Sequence, residues 1–180
     1  MNENELFARA IGFASLKHKD QVRKDGTPYI YHPLKVAELV KDAGFGLDYQ
    51  MVALLHDVLE DTDATEDEVR VFGEDVLEAV KLLTRPEGAD EAEYVAAILQ
   101  NHMAAVVKNA DKIHNMWDVG FCDDREWGKR YVKKVKKYYE GKFSYALDDA
   151  IGNAEMALAA HNSNRKWLYY SAEKMKLNME

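Results

Sequence analysis

The chain has 180 residues, of which 47% are hydrophobic, and its 24 lysines and arginines against 32 aspartates and glutamates leave a formal net charge of −8. That length fits one domain, and that hydrophobic content is typical of a globular protein and excludes a disordered one. The acidic balance argues against a general nucleic-acid binder, which usually presents a basic face, but it is compatible with a small anionic substrate in a local basic pocket.

The remaining composition excludes several other classes of protein. The single cysteine, Cys122, rules out a disulfide framework and a cysteine-rich zinc site. No apolar run approaches the roughly 18 to 20 residues that span a bilayer. Residues 1–5 are acidic and lack the basic and apolar regions of a secretion signal. We therefore expect a cytoplasmic protein with neither a membrane nor a nucleic-acid partner, while the oligomeric state is left open.

Apolar residues recur at intervals of three and four along the chain, which predicts helices and no strands. The first stripe contains Leu6, Ala10, Phe13 and Leu16. A turn follows over 23–28, where an Asp-Gly pair and a proline interrupt the pattern. The next helix has Pro33 in its first turn, and Gly44 ends it.

The following segments also have helical patterns. Asp48 is placed to cap a very apolar helix that continues through Leu59, and Thr65 with Glu68 predicts a capping box. Further helices are predicted at about 74–84, 91–100, 103–117, 126–140 and 144–160, with a less regular tail beyond. The fold class is therefore all-α.

Polar chemistry appears abruptly at the end of the apolar helix. His56, Asp57, Glu60 and Asp61 occur within six positions, and on a helix they form two stacked pairs on adjoining faces. Charges on a core-facing helix cost several kcal/mol unless they are paired, protonated or bound to metal. The alternative is a helix end that reaches solvent, where the acids only lead into a loop.

Two other positions favour a metal site. His32 stands at a helix start, and Asp111 lies on another strongly apolar helix. With His56 and Asp57 they provide two imidazoles and two carboxylates, a donor set that suits Mn²⁺, Fe²⁺ or Zn²⁺. Because adjacent helical residues point about 100° apart, His56 and Asp57 reach one ion only if other helices complete the site.

These positions belong to three longer segments that together resemble a known family. Residues 23–33, RKDGTPYIYHP, are similar to its R-K-x-G-x-P-Y-I-x-H-P segment, and residues 56–62, HDVLEDT, to its H-D-x-x-E-D-T block. Residues 110–116, ADKIHNM, are similar to its A-D-(R/K)-x-H-N-(M/L) segment. Their order and spacing from about 5 to 118 resemble the hydrolase domain of RelA/SpoT proteins, within the HD-domain phosphohydrolases, and especially the stand-alone small alarmone hydrolases.

The resemblance implies an HD-domain helical bundle with the metal site between helices. It implies a single domain over 1–180, in which helices at about 124–175 complete the bundle, and a length that leaves no room for a synthetase domain. It also implies removal of the 3′-pyrophosphate from ppGpp or pppGpp, giving GDP or GTP and pyrophosphate. The expected cofactor is a divalent ion, usually Mn²⁺, which would polarise phosphate and activate water.

Residue roles follow position by position from the same resemblance. The metal ligands would be His32, His56, Asp57 and Asp111, and the catalytic pair would be Glu60 and Asp61. Substrate contacts would come from Arg23, Lys24, Lys112 and Asn115. Each of these four has an ordinary alternative: the first two as an exposed basic turn, the lysine as a side chain extending to solvent, and the asparagine as a satisfied helix amide.

The resemblance weakens after Met116. Trp117 replaces a residue that is often basic in the family, which leaves the substrate preference open. A later tyrosine often contacts the ribose-phosphate region, and three candidates compete for that position, namely Tyr131, Tyr138 and Tyr139. Two other functions therefore remain as alternatives: an HD phosphohydrolase for another nucleotide, and a nucleotide sensor without catalysis.

Overall fold

The computed structural model describes residues 2–120 and 122–160. Within them the chain forms helices and no strand, and a single isolated bridge joins Val22 and Pro28. The all-α prediction is confirmed. The helices are α1 (Glu3–Lys17), α2 (Tyr31–Asp42), α3 (Leu47–Leu55), α4 (Val58–Asp61), α5 (Glu66–Arg70), α6 (Glu74–Leu83), α7 (Glu91–Ile98), α8 (His102–Val119), α9 (Arg125–Tyr139) and α10 (Tyr145–Ala159).

The structure divides into two compact units, of which the first ends at Asp111 and the second begins at Lys112. In the first unit α3 is the central helix and packs against α1, α2 and α6. Every residue of α3 from Gln50 to Leu55 is buried, which accounts for its almost continuous apolar sequence. In the second unit α9 packs against α10. The expectation of a single domain over 1–180 stays a prediction, and its part beyond residue 160 lies outside the described residues.

Local sequence accounts for most helix ends. Asn2 and Glu5 form a capping box at the start of α1, and Thr65 and Glu68 form the predicted one at the start of α5. Gly44 follows α2 with φ 91°, a left-handed conformation that glycine adopts without strain. The predicted stripe of α1 is wrong at one position, because Leu16 is 63% exposed while Ala10 and Ala14 face the core.

The helix predicted to run from Asp48 through Leu59 is instead interrupted. α3 ends at Leu55, the one-turn helix α4 begins at Val58, and Asp57 between them has φ −107° and ψ −2°. The carbonyl of Ala53 accepts the Nδ1–H of His56 at 2.7 Å, whereas in a continuous helix that carbonyl serves the amide of residue 57. The predicted cap is also wrong, because Asp48 lies inside α3 and Gly46 precedes the helix.

The second unit has helices with capped starts, and one of them, α9, has exposed lysines on one face. Asp124 accepts a hydrogen bond from the Trp127 amide at the start of α9, and Ser144 accepts one from Leu147 at the start of α10. The lysines of α9 at 133, 134 and 137 are exposed, while Val132 and Val135 are buried. Among the described helices none is long and apolar enough to cross a membrane.

Candidate active site and metal centre

Two histidines and an aspartate converge in the first unit. His32 comes from the first turn of α2, and His56 and Asp57 come from the interruption between α3 and α4. Each can offer one ligand atom, and these three atoms all lie within 4.8 Å of one another. Nε2 of His56 is 2.9 Å from Oδ2 of Asp57, and Nε2 of His32 is 3.7 Å from the same oxygen. The interruption therefore lets adjacent residues reach one point, which a continuous helix would not allow.

Asp111 completes the predicted set of four. Its Oδ1 lies 3.3 Å from Nε2 of His32 and 4.0 Å from Nε2 of His56. Its other oxygen, Oδ2, is 3.4 Å from Nζ of Lys108, one helical turn earlier on α8. Lys108 is itself buried and lies over the ring of Tyr94. This ion pair orients the carboxylate so that Oδ1 faces the two imidazoles, and Lys108 was not singled out from the sequence.

The charges at the site have clear effects on the imidazoles. Burial lowers the pKa of His32, which favours the neutral form that binds metals. Burial acts in the same direction on His56, but the charges of Asp57 and Asp111 outweigh it and raise the pKa of His56. The two carboxylates therefore attract a positive charge, which either a proton or a metal ion can supply.

The residues present fit a divalent cation. The backbone carbonyl of Ala53 can only accept a hydrogen bond, so Nδ1 of His56 carries a proton, and in the neutral imidazole Nε2 presents its lone pair. Nε2 is buried and receives no hydrogen-bond donor within the described part of the chain, because its neighbour at 2.9 Å, Oδ2 of Asp57, is itself an acceptor. An orphaned imidazole nitrogen that faces two carboxylate oxygens is a metal-ligand arrangement, and a mixed nitrogen and oxygen set suits divalent first-row metals.

Glu60 and Asp61 lie next to this cluster on α4. Oε2 of Glu60 accepts the backbone N–H of Arg85 at 2.9 Å, so the loop after α6 contacts this carboxylate. Burial, followed by the charges of Asp57 and Glu60, raises the pKa of Asp61. Both side chains retain exposure to solvent. Two carboxylates in these positions can accept a proton from water or hold it in place.

Tyr29 connects the cluster with Asp61, although the sequence predicted no role of its own for it. Its hydroxyl is 2.5 Å from Oδ2 of Asp57 and 3.4 Å from Oδ2 of Asp61. Burial and these carboxylates raise its pKa far above the usual tyrosine value, so it stays a hydrogen-bond donor. Its position in the quoted P-Y-I-x-H-P segment, three residues before His32, is the sequence feature that points to it.

A second layer lies behind Tyr29. The ring of His18 packs on that of Tyr29 at 4.7 Å, and Nδ1 of His18 is 2.8 Å from Oε1 of Gln21. Nε2 of Gln21 in turn donates to the main-chain carbonyl of Asp61 at 2.5 Å. His18 and Gln21, which follow α1, thus hold Tyr29 and the main chain of α4 in place, although they lie far from α4 in sequence.

The predicted basic loop is well ordered by its own hydrogen bonds. The amide of Arg23 donates to the carbonyl of Thr27 at 2.8 Å, and Asp25 accepts from both the amide and the hydroxyl of Thr27. The guanidinium of Arg23 lies 5.9 Å from the ring centre of Tyr29, whereas Lys24 is exposed. The loop therefore places Arg23 beside Tyr29, whose hydroxyl contacts Asp57.

The other predicted substrate residues belong to the second unit. Nζ of Lys112 lies 5.3 Å from the ring centre of Tyr139 and 5.9 Å from that of Tyr131, so it is not simply extended into solvent. The ring of Tyr138 instead contacts Lys137, whose Nζ lies 4.6 Å from the ring centre. Asn115 is half-buried on α8. Of the three competing tyrosines, two are thus neighbours of a predicted substrate residue.

Trp117 lies near His114, with 6.3 Å between the ring centres. His114 is half-buried. His102 is exposed, and its Nδ1 lies 2.7 Å from the hydroxyl of Tyr49. Cys122 donates to the carbonyl of Asp124. None of these contacts involves the four predicted metal ligands.

Comparison with known proteins gives the family. The family model described as the HD domain matches residues 10–137. The chain belongs to the HD-domain family. That match includes the four proposed metal ligands, α4 and most of α9, so the HD-domain part of the resemblance stated for the sequence is confirmed.

The chain is also similar to curated HD-domain hydrolases. It is 36% identical over 145 residues to the Danio rerio protein named guanosine-3′,5′-bis(diphosphate) 3′-pyrophosphohydrolase MESH1, covering 75% of this chain and 79% of that protein. It is 38% identical over 149 residues to the Homo sapiens protein of the same name, covering 77% and 82%. It matches the guanosine-3′,5′-bis(diphosphate) 3′-pyrophosphohydrolase of Aquifex aeolicus at 37% over 146 residues, but spans only 20% of that longer protein.

A solved structure has the same architecture. It is described as a metazoan ortholog of SpoT that hydrolyzes ppGpp and plays a role in starvation responses. The TM-score is 0.67 at 28% sequence identity, and the match covers 84% of this chain and 94% of that one. The HD-domain helical fold predicted from the sequence is therefore confirmed.

Proposed function

We propose that this chain is a guanosine-3′,5′-bis(diphosphate) 3′-pyrophosphohydrolase, which removes the 3′-pyrophosphate from ppGpp or pppGpp. The observation that carries the proposal is the convergence of His32, His56, Asp57 and Asp111 in a chain 36–38% identical to hydrolases of that name. The substrate is thus a nucleotide alarmone. We further propose one HD hydrolase domain over 1–180 and a cytoplasmic location without membrane or nucleic-acid partners.

The proposed cofactor is Mn²⁺, held by His32, His56, Asp57 and Asp111. A divalent ion there supplies electrostatic stabilisation of phosphate charge and lowers the pKa of water. The orphaned Nε2 of His56 and the carboxylate oxygen 2.9 Å from it support this assignment. Lys108 keeps Asp111 oriented, as an outer-shell partner does for a metal ligand.

Glu60 and Asp61 act on the attacking water. In the hydrolysis the water oxygen bonds to the 3′-linked phosphorus and the bond from that phosphorus to the ribose oxygen breaks. The ribose oxygen leaves with the electron pair of that bond and takes up one proton, balancing the one that water loses, to become the 3′-hydroxyl. One of the two carboxylates accepts the proton that water loses, and the other orients the water. The raised pKa of Asp61 brings its basicity closer to that needed near neutral pH.

Arg23, Lys24, Lys112 and Asn115 are the proposed substrate contacts. The guanidinium plane of Arg23 can stack on a purine, and the two lysines offset phosphate charge. The amide of Asn115 suits a ribose hydroxyl or a base edge. The cation–π contacts of Lys112 with Tyr131 and Tyr139 keep its ammonium group in a defined place within the second unit.

The test is pyrophosphate release from ppGpp by the purified protein with Mn²⁺ and with EDTA. Asp57→Ala should lower the rate more than about 100-fold, because losing a direct ligand exceeds the 10–100-fold typical of an outer-shell partner. Asp20→Ala, at an aspartate whose side chain is 88% exposed, is the matched control and should keep the full rate.

Two outcomes would contradict the proposal. Faster turnover of another phosphorylated nucleotide in the same assay would make that nucleotide the substrate, as the substitution at Trp117 leaves open. Tight binding of ppGpp with Mn²⁺ but no release of pyrophosphate would make the protein a sensor.

A further inference from the structure

The carboxylate of Glu60 depends on a loop that is distant in sequence. Glu60 sits on the one-turn helix α4, and its side chain is exposed, so among the described contacts none within α4 restricts its rotamers. An exposed glutamate loses rotamer entropy when it is held in one geometry, so a specific contact must hold it there. The hydrogen bond from the Arg85 amide to Oε2 of Glu60, 2.9 Å long, fixes that geometry from outside.

The loop that supplies this amide, residues 84–90, is held at its first end. Arg85 directly precedes Pro86, which restricts it to an extended conformation and prevents α6 from continuing. The hydroxyl of Tyr94 donates to the carbonyl of Leu83, the last residue of α6. The hydroxyl of Thr84 donates a hydrogen bond to the carbonyl of Val80, one turn earlier, at 2.9 Å. The main chain therefore leaves α6 in a defined direction.

An ion pair connects the same loop to the start of α7. Nη1 of Arg85 is 2.8 Å from Oε2 of Glu91, the first residue of α7, whose side chain is only 10% exposed. The other terminal nitrogen of Arg85 lies 3.4 Å from the carbonyl of Ala89. The guanidinium of Arg85 thus connects the two ends of the loop, and the backbone amide of the same residue donates to Glu60.

We propose that the Arg85–Glu91 ion pair is a positioning element for Glu60: it keeps the loop closed so that the Arg85 amide holds the carboxylate in place. The inference rests on the proposed function, since Glu60 is one of its two catalytic carboxylates. Neither charged side chain of the pair touches the metal cluster in the contacts described, so its effect reaches the site through the main chain. Because the Glu91 side chain is only 10% exposed, removing either partner leaves the other charge uncompensated in a partly buried place, which costs more than breaking an exposed pair.

The first test compares kcat, KM and Mn²⁺ affinity in Glu91→Gln, Arg85→Met and the double variant. Each should lower kcat about 10- to 100-fold, as expected for a small displacement of a catalytic group, with KM and Mn²⁺ affinity unchanged. The double variant should lose no more than either single variant, because both remove the same pair. Glu66→Gln breaks a 2.8 Å pair with Lys81 on the exposed surface of the same unit and should leave kcat unchanged.

The second test does not depend on catalysis. Hydrogen exchange of the Arg85 amide, followed by NMR, should be faster in Glu91→Gln and in Glu60→Ala than in the wild type, and unchanged in Glu66→Gln. If the wild type releases no pyrophosphate, the proposed function fails, while this exchange measurement still decides whether the pair holds the amide. Unchanged exchange in Glu91→Gln overturns the inference, as does a parallel loss of Mn²⁺ affinity and kcat.

Discussion

At the scale of single residues, the donors of the site are held by partners outside the donor set. Asp57 has Tyr29, Asp111 has Lys108, and His56 has the carbonyl of Ala53. Each contact restricts one proposed ligand to one orientation, as outer-shell partners do at metal sites. The precision of the cluster therefore depends on residues that would never be recognised as ligands.

Tyr29→Phe tests this dependence by removing one hydroxyl and little else. The hydroxyl contacts both Asp57 and Asp61, so we expect Mn²⁺ affinity or turnover to fall about 10- to 100-fold. Calorimetric titration with Mn²⁺ and the pyrophosphate assay measure the two quantities. Tyr31→Phe, at a tyrosine that is 61% exposed, is the control. Equal Mn²⁺ affinity and turnover in Tyr29→Phe and the wild type would show that the hydroxyl is dispensable.

The sequence predicted the ligand set that we propose, but it did not predict these partners. His32, His56, Asp57 and Asp111 stand in recognisable segments, whereas the contact of Arg85 with Glu60 spans 25 residues and uses a backbone amide, which every residue except proline possesses. The interruption at Asp57 was also missed, because the stretch from Leu54 to Leu59 contains no glycine or proline. Only the structure reveals the interruption, through the hydrogen bond that Nδ1 of His56 donates to the carbonyl of Ala53.

At the scale of helices, glycine has opposite effects at two positions. Gly73 precedes α6 with φ 129° and ψ 149°, a region that other residues enter only with strain. Gly12 lies inside α1, where an added Cβ would meet nothing within 4 Å among the described residues. The first glycine is required by the backbone, and the second only lowers the stability of its helix.

Alanine at each position should therefore change the free energy of unfolding with opposite signs. Gly73→Ala should cost about 1–3 kcal/mol, and Gly12→Ala should gain up to about 1 kcal/mol. Urea titration followed by circular dichroism measures both, and Gly12→Ala should keep full hydrolase activity. A loss of stability in Gly12→Ala would mean that the middle of α1 needs the conformational freedom of glycine.

At the scale of the whole molecule, metal binding and folding should be coupled. The donors come from α2, the α3–α4 interruption and α8, which are brought together only in the folded chain. A ligand that binds only the folded state at a hundred times its Kd stabilises it by about 2.7 kcal/mol. For a chain of this length that corresponds to an increase in Tm of roughly 5–10 °C.

Scanning calorimetry with and without Mn²⁺ tests this coupling, and Asp111→Asn should abolish the increase in Tm. A chain that folds as one domain should unfold in a single transition that shifts as a whole. A second transition that Mn²⁺ leaves unmoved would instead mean that the unit beginning at Lys112 unfolds independently.

The interruption between α3 and α4 has a consequence for heat resistance. Substitutions that joined the two helices would add backbone hydrogen bonds and raise the Tm of the metal-free protein. They would also turn His56 and Asp57 about 100° apart and separate two atoms that now lie 2.9 Å from each other. Selection for thermostability alone would therefore tend to erase the site, and only a screen that also requires metal binding or turnover would preserve it.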